Sequence, residues 1–154
     1  MKTLVNRITA TEPKLAPLVL RIVYAVVLWP HGAQLLLGFF GGNGFSGTMD
    51  YFTGQVGLPA IIAFLVIFLE FFGSLFILLG LFTRLAALAS IGLFIGMIVN
   101  VHQQFGFFMN WYGNLKGEGY EYHLLVIGIL LSLIITGAGK VSVDALLHRK
   151  TKLS

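Results

Sequence analysis

The sequence predicts an all-α fold: an integral membrane four-helix bundle with both termini on the cytoplasmic side. Three observations predict it. Of the residues, 57% are hydrophobic and only 10% charged, against about 25% charged in ordinary soluble domains. Four apolar segments approach the roughly 20 residues needed to cross a hydrocarbon core about 30 Å thick. The Lys and Arg residues gather at the chain ends and in one short turn, the pattern of cytoplasmic segments. All 154 residues are expected to form a single transmembrane domain, with helices at about 17–37, 58–81, 85–101 and 122–136.

The first helix carries Pro30 and Gly32, which are expected to bend its outer third. Lys2, Arg7 and Lys14 precede its apolar run, as in a secretory leader, but Arg21 interrupts the run and it continues past Leu35 without a small-x-small cleavage site. It is read as a retained helix. The second helix is the most apolar, with Glu70 near its middle. The third and fourth are short and are expected to borrow interfacial residues. Thr83 and Arg84 alone separate helices two and three in this reading, which makes them antiparallel neighbours. The connection from Gly38 to Gly57, with GFFGGNGFSG, is expected to be an interfacial or re-entrant loop. The third connection carries QFGFFMNWYG, read as an aromatic belt at headgroup depth rather than a stacking site for a ligand. Small residues, Ala89, Gly92 and Gly96 on helix three and Gly128, Ser132 and Thr136 on helix four, are expected to let helices pack closely.

Orientation follows from Lys2, Arg7 and Lys14, from Arg84, and from Lys140, His148, Arg149, Lys150 and Lys152, since the other two connections hold only Lys116. That places the termini and the Arg84 turn in the cytoplasm, and the protein in the bacterial inner (plasma) membrane as a multi-pass chain. The formal charge of +4, spread this way, suits anionic headgroups and argues against a nucleic-acid partner. With no cysteine, the chain forms no disulfide and supplies no thiolate to a substrate or an iron–sulfur cluster. Walker, dinucleotide-binding and serine-triad motifs are lacking, and nucleotide binding is discarded.

An ionisable group in hydrocarbon costs at least about 2.5–3.5 kcal/mol at mid-depth, so Glu70 demands a partner or a purpose. It shares a face with Ala63, Gly73 and Ser74, which turns it into the bundle. On helix one, Arg21, Tyr24 and His31 fall within an arc of about 80°. Measured from the cytoplasmic side, Arg21 lies about 6 Å deep, Glu70 about 16 Å and His31 about 21 Å at the helical rise. Arg21 and His31 are therefore the expected partners of Glu70. Two readings stay open: a structural buried pair, or a site that moves protons or binds a polar headgroup. Arg21 could also snorkel to the interface without any function.

A second cluster is expected toward the outer surface, with His102 ending helix three, Glu121 and His123 beginning helix four, and Gln34 beside His31. The dispersed ligand spacing argues against a metal or haem. A polar mouth that admits a small aromatic or quinone headgroup to Glu70 fits these residues better.

The chain resembles the DoxX family of small four-helix membrane proteins. The resemblance rests on LRIVYAVVLWPHGAQ, EFFGSLFILLGLFTRLAAL, HQQFGF and the closing GAGKVSVDALL, and covers about Leu18 to Leu147. It falls on Arg21, His31, Gly32, Glu70, Gly73, Gly80, Thr83, Arg84, His102, Gly106 and Glu121. Family members often carry Lys where this chain has Gln34, so the resemblance leaves Arg21 as the main cation to balance Glu70. It implies a link to thiosulfate:quinone oxidoreduction, to partners of thiol and oxidative-stress enzymes, or to quinone and catechol resistance.

Two functions are expected in competition. In the first, the chain is a membrane component of a quinone-linked oxidoreductase or oxidative-stress system. Glu70 then exchanges a proton, Arg21 sets its acidity, His31 hydrogen-bonds a ligand oxygen, and Tyr24, Gln34, His102, Glu121 and His123 line the binding site. A quinone is the candidate bound group and no cofactor is certain. In the second, the chain is a non-catalytic anchor or assembly partner for a soluble oxidoreductase. Lipid is the common partner, a homo-oligomer is admitted, and a transporter has little room in one bundle.

Overall fold

The computed structural model describes residues 8–153, with side chains up to Arg149. Lys2 and Arg7 lie outside the described residues, as do the side chains of Lys150 and Lys152. All regular structure among the described residues is helical.

Helix α1 runs Ala16–Leu37, with Pro17 in its first turn, where a missing amide costs nothing, and Gly38 in the left-handed conformation ending it. It runs through Pro30 as one element. The Gly-rich connection does not stay a loop: α2 (Gly44–Asp50) continues into a π-helical turn at Tyr51–Gln55. It is tied to α1 by the Thr48 hydroxyl, which donates to the Leu35 carbonyl at 3.0 Å. Gly42 has no room for a side chain, because a Cβ there would lie 2.3 Å from the Gln34 carbonyl oxygen. Tertiary packing on α1 thus orders a segment whose glycines promise little helix by propensity.

Helix α3 (Ala60–Leu79) contains a π-helical turn at Leu69–Gly73 that carries Glu70. Helix α4 (Thr83–Phe105) contains another at Ile98–His102. The turn between them is not Thr83 and Arg84. Gly80 and Phe82, at φ 65° and 46°, make the reversal and Thr83 already begins α4. Helix α5 (Glu121–Thr136) is shorter, and α6 (Val143–Leu153) is a basic, amphipathic terminal helix.

α1 packs on α3 and α5, and α4 packs on the same two, so the four long helices close a ring. Tyr24, Leu28, Ile77, Ala87, Phe94 and Leu130 fill its centre. Outside, the polarity of a water-soluble protein is inverted: Val26, Leu125 and Ile135 are 67%, 71% and 77% exposed. Such a surface suits lipid, and α1, α3 and α4 are each long and apolar enough to cross a membrane.

The small residues expected at helix contacts do not all serve there. A Cβ on Gly92, Gly96 or Gly128 would meet nothing within 4 Å. The close approach is at Gly32 instead, where a Cβ would lie 2.5 Å from the Glu70 carbonyl carbon.

Candidate functional site

The α1–α3 crossing places Gly32 against Glu70, and this fixes where every other polar group falls. Glu70 is 5% exposed and points inward with Ala63, Gly73 and Ser74, all buried. The face read from the sequence is therefore the inner one. Tyr24 and Tyr122 are near enough to feel the Glu70 charge, and Tyr24 also faces Ser90. The Tyr122 hydroxyl is buried and has no hydrogen-bond partner. A buried hydroxyl left unpaired costs about 1–3 kcal/mol, so this cluster of polar groups is built against the tendency of the core.

Arg21 does not join it. From Glu70 to Ile77 is seven residues, about 10 Å along α3, and the Arg21 guanidinium sits at that lower level. Its Nε donates to the Ile77 carbonyl at 2.9 Å, and Nη2 to Leu78 at 2.6 Å and Val141 at 3.0 Å. Nη1 donates to Ala138 at 2.8 Å and Lys140 at 3.3 Å. Ile77 and Leu78 are in the last turn of α3, where carbonyls lack helical partners and the dipole end is negative. The nearby carboxylate is Asp144, whose charge acts on Arg21. Asp144 is 1% exposed and accepts the amides of Phe82 at 2.8 Å and Thr83 at 2.9 Å, which caps α4. Gly80 completes this knot, since a Cβ there would lie 2.4 Å from Ser142 Cβ and 2.9 Å from Arg21 Cζ.

His31 is not beside Glu70 either. The buried stripe of α1 passes through Arg21, Ala25, Leu28 and Gly32, and His31, one residue and 100° round from Gly32, is exposed. Gln34 is committed to the connection, with Nε2 donating to the Phe40 carbonyl at 3.3 Å.

Two of the histidines expected in the second cluster do come together. The His102 and His123 rings lie in contact, tilted by 44°, with centroids 4.1 Å apart. His102 Nδ1 donates to the Glu118 carbonyl at 2.9 Å, which leaves Nε2 of the neutral ring as an acceptor. His123 is 5% exposed, packs edge-on to Phe94 and Tyr122, and its Nδ1 has no partner. Glu121 turns away from the bundle: its carboxylate accepts the Met109 amide at 2.9 Å and the Trp111 indole at 3.3 Å. The buried face of α5 is His123, Val126, Leu130 and Leu133, and Glu121 is 200° from His123. Trp111 and Tyr112, 79% and 91% exposed, extend outward as belt residues do.

An apolar groove of about 450 Å³ lies between α3 and α4, from Leu65 and Leu69 past Gly92 and Gly96 to Asn100 and His102. It reaches His102. No three acidic or histidine side chains among the described residues are grouped as metal ligands.

The sequence reading missed Asp144, Ser90 and Tyr122. Ser90 was findable as a polar residue within an apolar span, and Asp144 as the carboxylate two residues after Ser142 at a helix start.

An inverted surface, three spanning helices and a buried carboxylate define a multi-pass helical membrane protein. The chain belongs to the DoxX family, whose model matches residues 16–103. It is 36% identical over 108 residues to the inner membrane protein YqjF of Escherichia coli (strain K12), covering 70% of this chain and 78% of that protein. It is 27% identical over 139 residues to CatD of Bacillus subtilis (strain 168), a protein named as a candidate oxidoreductase, covering 90% and 92%. No solved structure matches. The protein is a multi-pass component of the bacterial inner membrane. The family match includes Arg21, Glu70 and His102 but ends before His123 and Asp144.

Proposed function

We propose that the protein is a membrane component of a quinone-linked oxidoreductase or oxidative-stress system, with an aromatic headgroup held beside Glu70 in a four-helix bundle. One observation carries this reading: a mid-helix carboxylate, 5% exposed, lies near the buried, unpartnered hydroxyl of Tyr122. A quinone offers two ring oxygens to such groups, and the α3–α4 groove is apolar enough for its tail. The oxidoreductase name of CatD supports the class of reaction.

In this reading α5 is the fourth crossing; its 16 residues span about 24 Å, extended by the interfacial Tyr120. Both termini face the cytoplasm, because Lys14, Arg84 and Lys140 gather at the Arg21 end. Reducing a quinone to a hydroquinone takes two electrons and two protons. A soluble oxidoreductase partner supplies the electrons. Glu70 gives one proton to the ring oxygen beside it and, reprotonated from the outer side through His102 and His123, gives a second to Tyr122 as the Tyr122 hydroxyl passes its own proton to the opposite oxygen. Ser90 and Tyr122 hold the opposite oxygen. Arg21 and His31 leave the catalytic assignment, the first bound to carbonyls and the second exposed.

The test is Glu70→Gln, which keeps the shape and removes the proton. Quinone reduction by membranes containing the variant should fall to background while the helical circular dichroism is retained; unchanged turnover removes the mechanism.

A second reading, a non-catalytic anchor for a soluble enzyme, draws on the knot around Arg21, Gly80 and Asp144, where several residues of the family pattern serve the scaffold. Mass spectrometry of the protein purified in mild detergent separates the two. A retained lipid-soluble aromatic molecule favours the first, and a co-purifying polypeptide with no such molecule the second.

A further inference from the structure

We propose that the end of the bundle closed by Arg21 carries a binding site for an anionic phospholipid. A cavity of about 550 Å³ opens there, lined by Thr11, Leu79, Lys140, Val141, Leu146 and Arg149. Its walls divide by chemistry. Lys140 and Arg149 are exposed cations, and neither is ion-paired among the described residues. Leu79, Val141 and Leu146 are 55%, 77% and 60% exposed, and apolar side chains this bare at the edge of a membrane bundle are covered by acyl chains.

The backbone holds this arrangement at a cost. Val141 lies at φ 54°, a conformation a β-branched residue rarely adopts. Its side chain gains no packing from it. Its carbonyl is held by Arg21 Nη2 at 3.0 Å, and the Lys140 amide is held by the Lys14 carbonyl at 2.9 Å. Strain of this kind persists where a site requires it; here it turns an isopropyl group outward next to a cation. Asp144 pins the start of α6 to the α3–α4 turn, which fixes Arg149 relative to the mouth of the bundle.

A ligand that satisfies both walls carries a phosphate and long apolar chains. A free phosphate meets only the cations. A zwitterionic lipid brings an ammonium that offsets its phosphate, so the preference is for net negative headgroups. The site is independent of the redox reading and of which leaflet the Arg21 end occupies.

The experiment uses the full chain in mild detergent, with thermal unfolding followed as dioleoylphosphatidylglycerol, dioleoylphosphatidylcholine or inorganic phosphate is added, and native mass spectrometry of the retained lipid. Phosphatidylglycerol should raise the melting temperature and remain bound, while the other two have little effect. Lys140→Gln with Arg149→Gln should weaken phosphatidylglycerol binding about 25-fold, from about fivefold per cation near a surface. The outer-loop variant Lys116→Gln should bind as wild type. Both cations are exposed and make no side-chain hydrogen bond among the described residues, and circular dichroism checks that the variants remain helical. An equal response to phosphatidylcholine overturns the proposal as a mere apolar groove. A full response to inorganic phosphate overturns the lipid assignment, and unchanged phosphatidylglycerol binding by the double variant overturns the site.

Discussion

Arg21 and Asp144 grip the α3–α4 turn from its two ends. Arg21 takes the Ile77 and Leu78 carbonyls that end α3, and Asp144 takes the Phe82 and Thr83 amides that begin α4. Each charge meets the helix-dipole end of opposite sign. The Asp144 amide also donates to the Gly80 carbonyl at 2.8 Å, so the turn between two membrane helices is held by a residue from the far end of the chain.

Asp144→Ala should therefore destabilise the protein by about 2 kcal/mol, the usual loss when a cap with charged hydrogen bonds is removed. Asp144→Asn should cost less, since it keeps one acceptor. Thermal unfolding in detergent measures both, and a neutral Asp144→Ala would show that the cap contributes nothing.

Arg21→Lys keeps the charge and loses the planar fork. A lysine has three donors where Arg21 makes five hydrogen bonds, so buried carbonyls are left unpaired at about 1–3 kcal/mol each. The variant should melt markedly lower, while the quinone turnover per folded molecule stays near wild type. A selective loss of turnover at full stability would return Arg21 to the Glu70 site.

Gly32→Ala places a methyl group 2.5 Å from the Glu70 backbone, so α1 and α3 must separate. A loss of about 1–3 kcal/mol from overpacking is expected. Gly128→Ala meets nothing within 4 Å and should be neutral or stabilising by up to about 1 kcal/mol through helix propensity. Paired melting curves decide whether Gly32 is the contact glycine.

Val141→Gly relieves the left-handed strain at φ 54° and should stabilise the lipid-free protein by about 1 kcal/mol. Lipid-free melting curves of this variant and wild type provide the check. A lower melting temperature would mean that the Val141 side chain packs in a way its exposure conceals.

Three of the spans were legible from composition because lipid leaves the backbone few options: a chain with no water to bond to forms helices, and apolar length reveals them. The inward face of Glu70 was legible for a similar reason, since periodicity alone separates Ala63, Glu70, Gly73 and Ser74 from the lipid-facing positions. The company of His102 and His123 followed from their places at the ends of neighbouring helices. The partner of Arg21 was not legible. A guanidinium seeks acceptors, and the sequence advertises carboxylates such as Glu70, whereas the acceptors used are backbone carbonyls that every residue carries alike. The helical rise already set Arg21 about 10 Å from Glu70 in depth; the tertiary structure decided that its side chain stays at that level, on the carbonyls that end α3, instead of reaching to Glu70. The tertiary structure likewise turned Glu121 to the Met109 amide and left His31 outside. Periodicity and rise fix spans and depths; how each helix is rotated in the bundle, and which backbone carbonyls and amides come within reach, decides which polar groups meet.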